Sequence, residues 1–108
     1  MKLVTFSTKD NPTPRIGVFL DAGVADLSGT DLPTTMKELL AGGDAAMAAA
    51  RSAADAATDL VDPAQVTLHA PITNPGKVLA IGLNYGDHIE ESGMKKPEHQ
   101  MWFNKQHN

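Results

Sequence analysis

Two short runs rich in Val, Ile, Leu and Phe, residues 1–7 and 15–20, flank the cluster Lys9-Asp10-Asn11-Pro12-Thr13-Pro14, and no other feature constrains the fold more. Both prolines lack a backbone donor and the neighbouring Asp and Asn favour turns, so the chain must reverse there. The two runs are therefore expected to pair as an antiparallel hairpin or meander. Asp21-Ala22-Gly23 supplies a further turn, and residues 24–27 form a third short strand with the alternation of a sheet that buries one face.

Helical signals follow the strands. Thr35 precedes Glu38 by three residues, the spacing of a capping box; Met36, Leu39 and Leu40 line one face, and Gly42-Gly43 permits a stop. A helix is expected over about residues 35–41. Residues 44–60, DAAMAAARSAADAATDL, are dominated by Ala, the strongest helix former, with Asp44 as the expected N-cap. Met47, Ala50, Ala54 and Ala57 make a narrow face of small side chains that lets the helix sit close to a sheet, leaving Arg51, Asp55 and Asp59 in solvent. This segment has neither the bulky apolar residues nor the basic ones of a membrane-surface helix. Asp62-Pro63 ends it, and a further strand is expected over residues 65–70 before Pro71 and Pro75-Gly76.

Charge and length exclude several functions. A chain of 108 residues suffices for one substantial domain, not two. The formal charge of −4 is interleaved, with no basic block longer than Lys95-Lys96, which argues against a nucleic-acid or anionic-membrane partner. No cysteine is present, so disulfides and thiolate metal sites are excluded. No run approaches the roughly 20 apolar residues of a membrane span, nor is there a secretory signal, and a cytoplasmic location is the expectation.

The chemistry gathers in residues 77–93, KVLAIGLNYGDHIEESG, where a short apolar strand runs straight into a polar turn. Groups just past a strand end are exposed yet positioned by a rigid scaffold. If residues 87–92 form a helical turn, His88 and Glu91 share one face, and the carboxylate can orient and polarise the imidazole as a general base. The alternative is a surface His near acidic residues. Asn84 and Tyr85 offer an amide and a phenol suited to holding a carboxylate, or to ordering the loop locally. Gly82 and Gly86 do not make a phosphate loop, because GLNYG matches neither nucleotide-binding fingerprint. Gly93 is expected to end the turn, with an apolar strand around residues 101–103. His88, His99 and His107 have no paired metal-ligand spacing, so no metal site is assigned within the chain. His69 reads as a structural or exposed residue.

KVLAIGLNYGDHIEESG followed by KKPEHQMWFNK resembles the opening of the catalytic domain in the fumarylacetoacetate hydrolase family. The resemblance rests on Ile81-Gly82, Asn84-Tyr85, His88, Glu91, Gly93, Pro97 and Phe103-x-Lys105, and KLVTFS, PRIGVF, GVADLS and PTTMKELLAGG resemble the small amino-terminal domain of bacterial members. The family implies an α+β fold: residues 1–70 as a small mixed β-sheet with two helices, and residues 71–108 as the first strand and lid-like turn of an incomplete β-rich catalytic domain. It implies His88 and Glu91 as a water-activating dyad, Asn84, Tyr85 and Lys105 as substrate-binding residues, and Mg²⁺ or Mn²⁺ as cofactor. The Glu-x-Glu pair and the Asp that hold this metal in the family have no counterpart here, and the run after Phe103 looks interrupted within an element. The implied whole protein is a homodimeric, metal-dependent hydrolase or lyase cleaving a C–C bond of a small oxo acid or 1,3-diketone through a stabilised enolate. Isomerase or decarboxylase chemistry, and a non-catalytic role in assembly or oxo-acid binding, are the alternatives.

Overall fold

Strand pairing in the first part of the chain follows directly from its turns. In the computed structural model, which describes residues 1–106, β1 (Lys2–Thr8) and β2 (Arg15–Leu20) pair antiparallel across the two-proline turn, with Leu3 opposite Val18 and Thr5 opposite Ile16. Asp21-Ala22 then turns the chain into β3 (Gly23–Asp26), which pairs with β2 through Val18 and Ala25.

Two helices come next. Helix α1 (Met36–Ala41) begins at the expected box: the Glu38 amide donates to Thr35 Oγ1 at 3.3 Å, and that hydroxyl donates to Glu38 Oε2 at 2.7 Å. Helix α2 (Gly43–Asp55) follows at once, so Gly42 closes α1 and also caps α2. Asp44 thus lies in the first turn of α2 and is not its cap. The helix also stops at Asp55, short of Leu60, because Leu60–Val61 is drawn into a strand, β4, against Val24 and Ala25. Ala50 and Ala54 are buried as their spacing predicts, and Arg51, Asp55 and Asp59 are exposed.

Asp62 accepts from the Ala64 amide and starts a 3₁₀ turn, Pro63–Gln65, after which β5 (Val66–Leu68) pairs with β1. The strand expected over residues 65–70 is shorter, since Gln65 belongs to this turn. The sheet order is β4-β3-β2-β1-β5. Among the described residues every ladder is antiparallel, which corrects the expected mixed sheet. The cause is the connections: hairpins join β1 to β2 and β2 to β3, and the helices link β3 back to its own neighbour β4 rather than crossing over to a parallel strand.

The sheet is curled. A flat sheet of five strands would hold its edges about 19 Å apart, whereas β4 and β5 are the two edges and only Asp62 to Gln65 separate them. A connection containing a 3₁₀ turn is too short for that gap, so the edges must bend towards each other.

Curling buries both faces. On one, Ile16, Val18, Ala25 and Leu27 pack with Met36, Leu39, Ala50 and Ala54 from the helices. On the other, Phe6 and Val24 are fully buried over Gly17, where an added Cβ would stand 2.8 Å from Phe6 Cε1 and from the Ala25 carbonyl oxygen. Two buried hydroxyls are satisfied: Thr5 Oγ1 donates to the Pro71 carbonyl at 2.7 Å, and Ser7 Oγ lies 2.8 Å from His69 Nε2. His69 therefore has the structural role expected of it.

These elements form one unit, Met1–Thr73, and a second unit begins at Asn74. In the second, β6 (Val78–Gly82) leads into α3 (Gly86–Ser92), and β7 (Met101–Lys105) pairs antiparallel with β6. None of its described residues is buried; Leu79, Met101, Trp102 and Phe103 are exposed.

Candidate active site

The strand β6 ends at Gly82, and Leu83 turns the chain with φ 51°, the one positive φ at a non-glycine among the described residues. A side chain in this left-handed region costs about 1–2 kcal/mol, and such strain concentrates at functional sites. Tyr85 then caps α3 through backbone alone: its carbonyl accepts from the Ile89 amide at 3.1 Å, and its side chain makes no capping bond. The phenol is consequently free of the helix and 75% exposed. Gly93 ends the helix with φ 65° as expected, its amide donating to the Glu90 carbonyl.

His88 and Glu91 both lie in α3, one turn apart, so they occupy the same exposed face. The single ion pair among the described residues is Arg15 with Asp26; His88 and Glu91 are near neighbours without a closed contact. The spacing allows them to meet by side-chain rotation. Asn84 stands just before the helix and faces a cavity of about 360 Å³ whose apolar walls include Ile81, Leu83 and Ile89.

Lys105 is elsewhere on the hairpin. In the β6–β7 ladder it sits opposite Val78, whereas Gly82, the residue that leads into the turn, sits opposite Met101. Four ladder positions separate the two ends, about 14 Å at strand rise. The hairpin thus joins Asn84, Tyr85, His88 and Glu91 within one corner and holds Lys105 at the other end.

Sequence reasoning passed over Lys96 and treated His99 only as a weak metal ligand, yet both line the cavity beside Asn84. The one signal that marked them was the dense run of charge in Lys95-Lys96-Pro97-Glu98-His99 directly after the helix stop. His107 lies outside the described residues. Among the described residues no three His, Asp or Glu side chains gather as a metal-holding group. The described residues by themselves therefore do not fit a divalent metal. No helix among them is long and apolar enough to cross a membrane.

No family model matches the chain. It is 41% identical over 97% of its length to "Oxaloacetate tautomerase fahd2, mitochondrial" of Xenopus laevis, covering 34% of that protein. It is 34% identical over 97% of its length to a 2,4-didehydro-3-deoxy-L-rhamnonate hydrolase of Sphingomonas sp. (strain SKA58), covering 33% of it. Among solved structures, a Mycobacterium smegmatis protein assigned to HpcE superposes with a TM-score of 0.71 at 34% identity, covering 97% of this chain and 36% of that one. The chain thus spans about a third of the length of the curated relatives it matches.

Proposed function

We propose that this chain, a sequence of the fumarylacetoacetate hydrolase family matched over about a third of its relatives' length, serves an enzyme of small oxo acids. The whole protein acts there as a hydrolase or lyase, cleaving a C–C bond next to a carbonyl. The observation that carries this reading is the corner from Leu83 to Gly93, where a strained turn leads into an exposed helix bearing His88 and Glu91 one turn apart.

In this reading His88 takes the proton from the attacking water and Glu91 holds the imidazole in the orientation and charge state that accept it. Asn84 and Tyr85, exposed on the same corner, hold the substrate's carboxylate and carbonyl oxygens by hydrogen bonds. Lys105 serves as a substrate contact only if the ligand extends along the hairpin, given its place opposite Val78. A divalent ion, Mg²⁺ or Mn²⁺ held by residues outside this chain, supplies Lewis acidity when bound. We assign residues 1–70 as a scaffold domain and residues 71–108 as the start of the catalytic domain. The protein works as a homodimer on a small-molecule substrate, in the cytoplasm; the Xenopus relative's name makes the mitochondrion the competing compartment.

A second reading has its own support: 41% identity to a protein named oxaloacetate tautomerase favours enol–keto isomerisation. There the same His88 helps move a proton between oxygen and carbon, exchanging an O–H bond for a C–H bond, and no carbon–carbon bond breaks.

One experiment separates these readings. A protein of the relatives' full length carrying these residues is assayed with Mg²⁺ on enol-oxaloacetate and on an acylpyruvate. Loss of the enol absorbance without cleavage products selects the isomerase; release of two acids selects the hydrolase. Neither activity, with and without metal, refutes both.

A further inference from the structure

Resting on the oxo-acid reading, we propose that the cavity between the β6–α3 corner and the loop 96–100 is a subsite for a second, distal carboxylate of the substrate, with Lys96 as its counter-charge. The cavity measures about 360 Å³, within the range of small-molecule sites. Asn84, Lys96 and His99 line it with donors, and the apolar Ile81 and Ile89 close its sides. Leu83, whose φ of 51° is the one positive value at a non-glycine among the described residues, lines it next to Asn84.

The ligand class follows from the donors. A carboxylate leaving water needs a cation or several N–H groups, and charge-assisted hydrogen bonds are the strong ones. Residues 74–108 contain four lysines, Lys77, Lys95, Lys96 and Lys105, and of these Lys96 lines the cavity. The Asn84 and Gln100 amides add neutral donors. Glu98 shares the wall and opposes an anion, so the subsite is tuned rather than simply cationic. His88 and Glu91 lie outside this lining, which leaves the reacting end of the substrate to them and gives the far end to Lys96.

Neighbouring substitutions should therefore act with opposite sign. The full-length protein and its Lys96→Gln and Glu98→Gln variants are compared by kcat/KM on oxaloacetate, which has a distal carboxylate, and on acetopyruvate, which ends in a methyl ketone. Lys96→Gln should lower the oxaloacetate-to-acetopyruvate ratio about tenfold, through KM, as expected for one lost charge-assisted bond. Glu98→Gln should raise it about two- to threefold. Each variant should keep its kcat on acetopyruvate. Both residues are exposed, and thermal melting confirms that each variant folds.

Ratios unchanged in both variants overturn the subsite while leaving the oxo-acid reading intact. If the protein turns over neither compound, calorimetric binding of oxaloacetate against pyruvate reads the same preference. A tenfold loss in Lys96→Gln then upholds the subsite although the catalytic reading falls. Equal binding of the two ligands, or none, overturns it.

Discussion

Arg15 Nε donates to Asp26 Oδ2 at 2.6 Å, diagonally across the β2–β3 ladder, on the sheet face opposite the helices. The same guanidinium stands 4.3 Å from the centre of the Phe6 ring, so one side chain joins three strands. Arg15 and Asp26 expose only 11% and 26% of their side chains, which shields the pair from solvent screening.

The pair makes stability sensitive to acid. Desolvation pushes the Asp26 carboxyl up, but the Arg15 hydrogen bond, the hydrogen bonds to Ser28 and the Arg15 charge together outweigh it and hold the group below its usual 3.8. A carboxyl lowered in the folded state contributes stability above its unfolded value, and that contribution disappears as pH falls through the folded value. Asp26→Asn should cost about 1–3 kcal/mol near neutral pH and flatten the acid limb below about pH 4. Urea titrations of both proteins at several pH values check this. Parallel acid limbs would count against the pair.

Gly17→Ala should destabilise the amino-terminal unit by about 1–3 kcal/mol, the usual cost of overpacking. The added methyl meets Phe6 Cε1 and a backbone oxygen at 2.8 Å and Val24 Cγ1 at 2.9 Å, and the oxygen belongs to the ladder and cannot retreat. A denaturation midpoint equal to wild type would show that the sheet opens more easily than its packing indicates.

Thr35→Ala should cost about 1 kcal/mol by removing the α1 cap, while Thr35→Ser should be nearly neutral because the hydroxyl remains. Comparing the two by thermal unfolding separates the cap from the packing of the Thr methyl. Equal losses would assign the effect to packing.

In the full-length protein, His88→Ala should lower turnover at least about 10²-fold, and Glu91→Gln should produce a smaller loss with a displaced pH–rate profile. Both positions are exposed on α3, so circular dichroism should show unaltered folding. Wild-type rates in His88→Ala would remove the imidazole from the mechanism.

The polypeptide of residues 1–108 by itself should show no metal-dependent hydrolysis of an acylpyruvate, since no three-ligand group occurs among its described residues. Turnover stimulated by Mg²⁺ in the purified polypeptide would sink the assignment of the metal ligands to other parts of the protein.

Much of the architecture was legible because its causes are local. The turn at Pro12 and Pro14, the Thr35–Glu38 cap and the left-handed stop at Gly93 each depend on a few adjacent residues, and each occurs where its chemistry requires. His88 and Glu91 were legible for the same reason, as helical spacing alone puts them on one face. Reading failed where a distant partner decides. Leu60–Val61 is too short to announce a strand and becomes one through β3, which also ends α2 early; Gly42 displaces Asp44 as the cap because α1 and α2 abut.

The sequence by itself thus determined the local elements, their turns and caps, and the chemical groups brought to the strand–helix corner, because backbone sterics and helical periodicity act within a few residues. Only the tertiary structure decided the curl of the sheet, the antiparallel order with β4 and β5 as its edges, the crowding that demands Gly17, and the separation of Lys105 from the corner where Lys96 and His99 line the cavity. Those depend on ladder register and on closing loops between residues far apart in the chain, which composition and spacing do not encode.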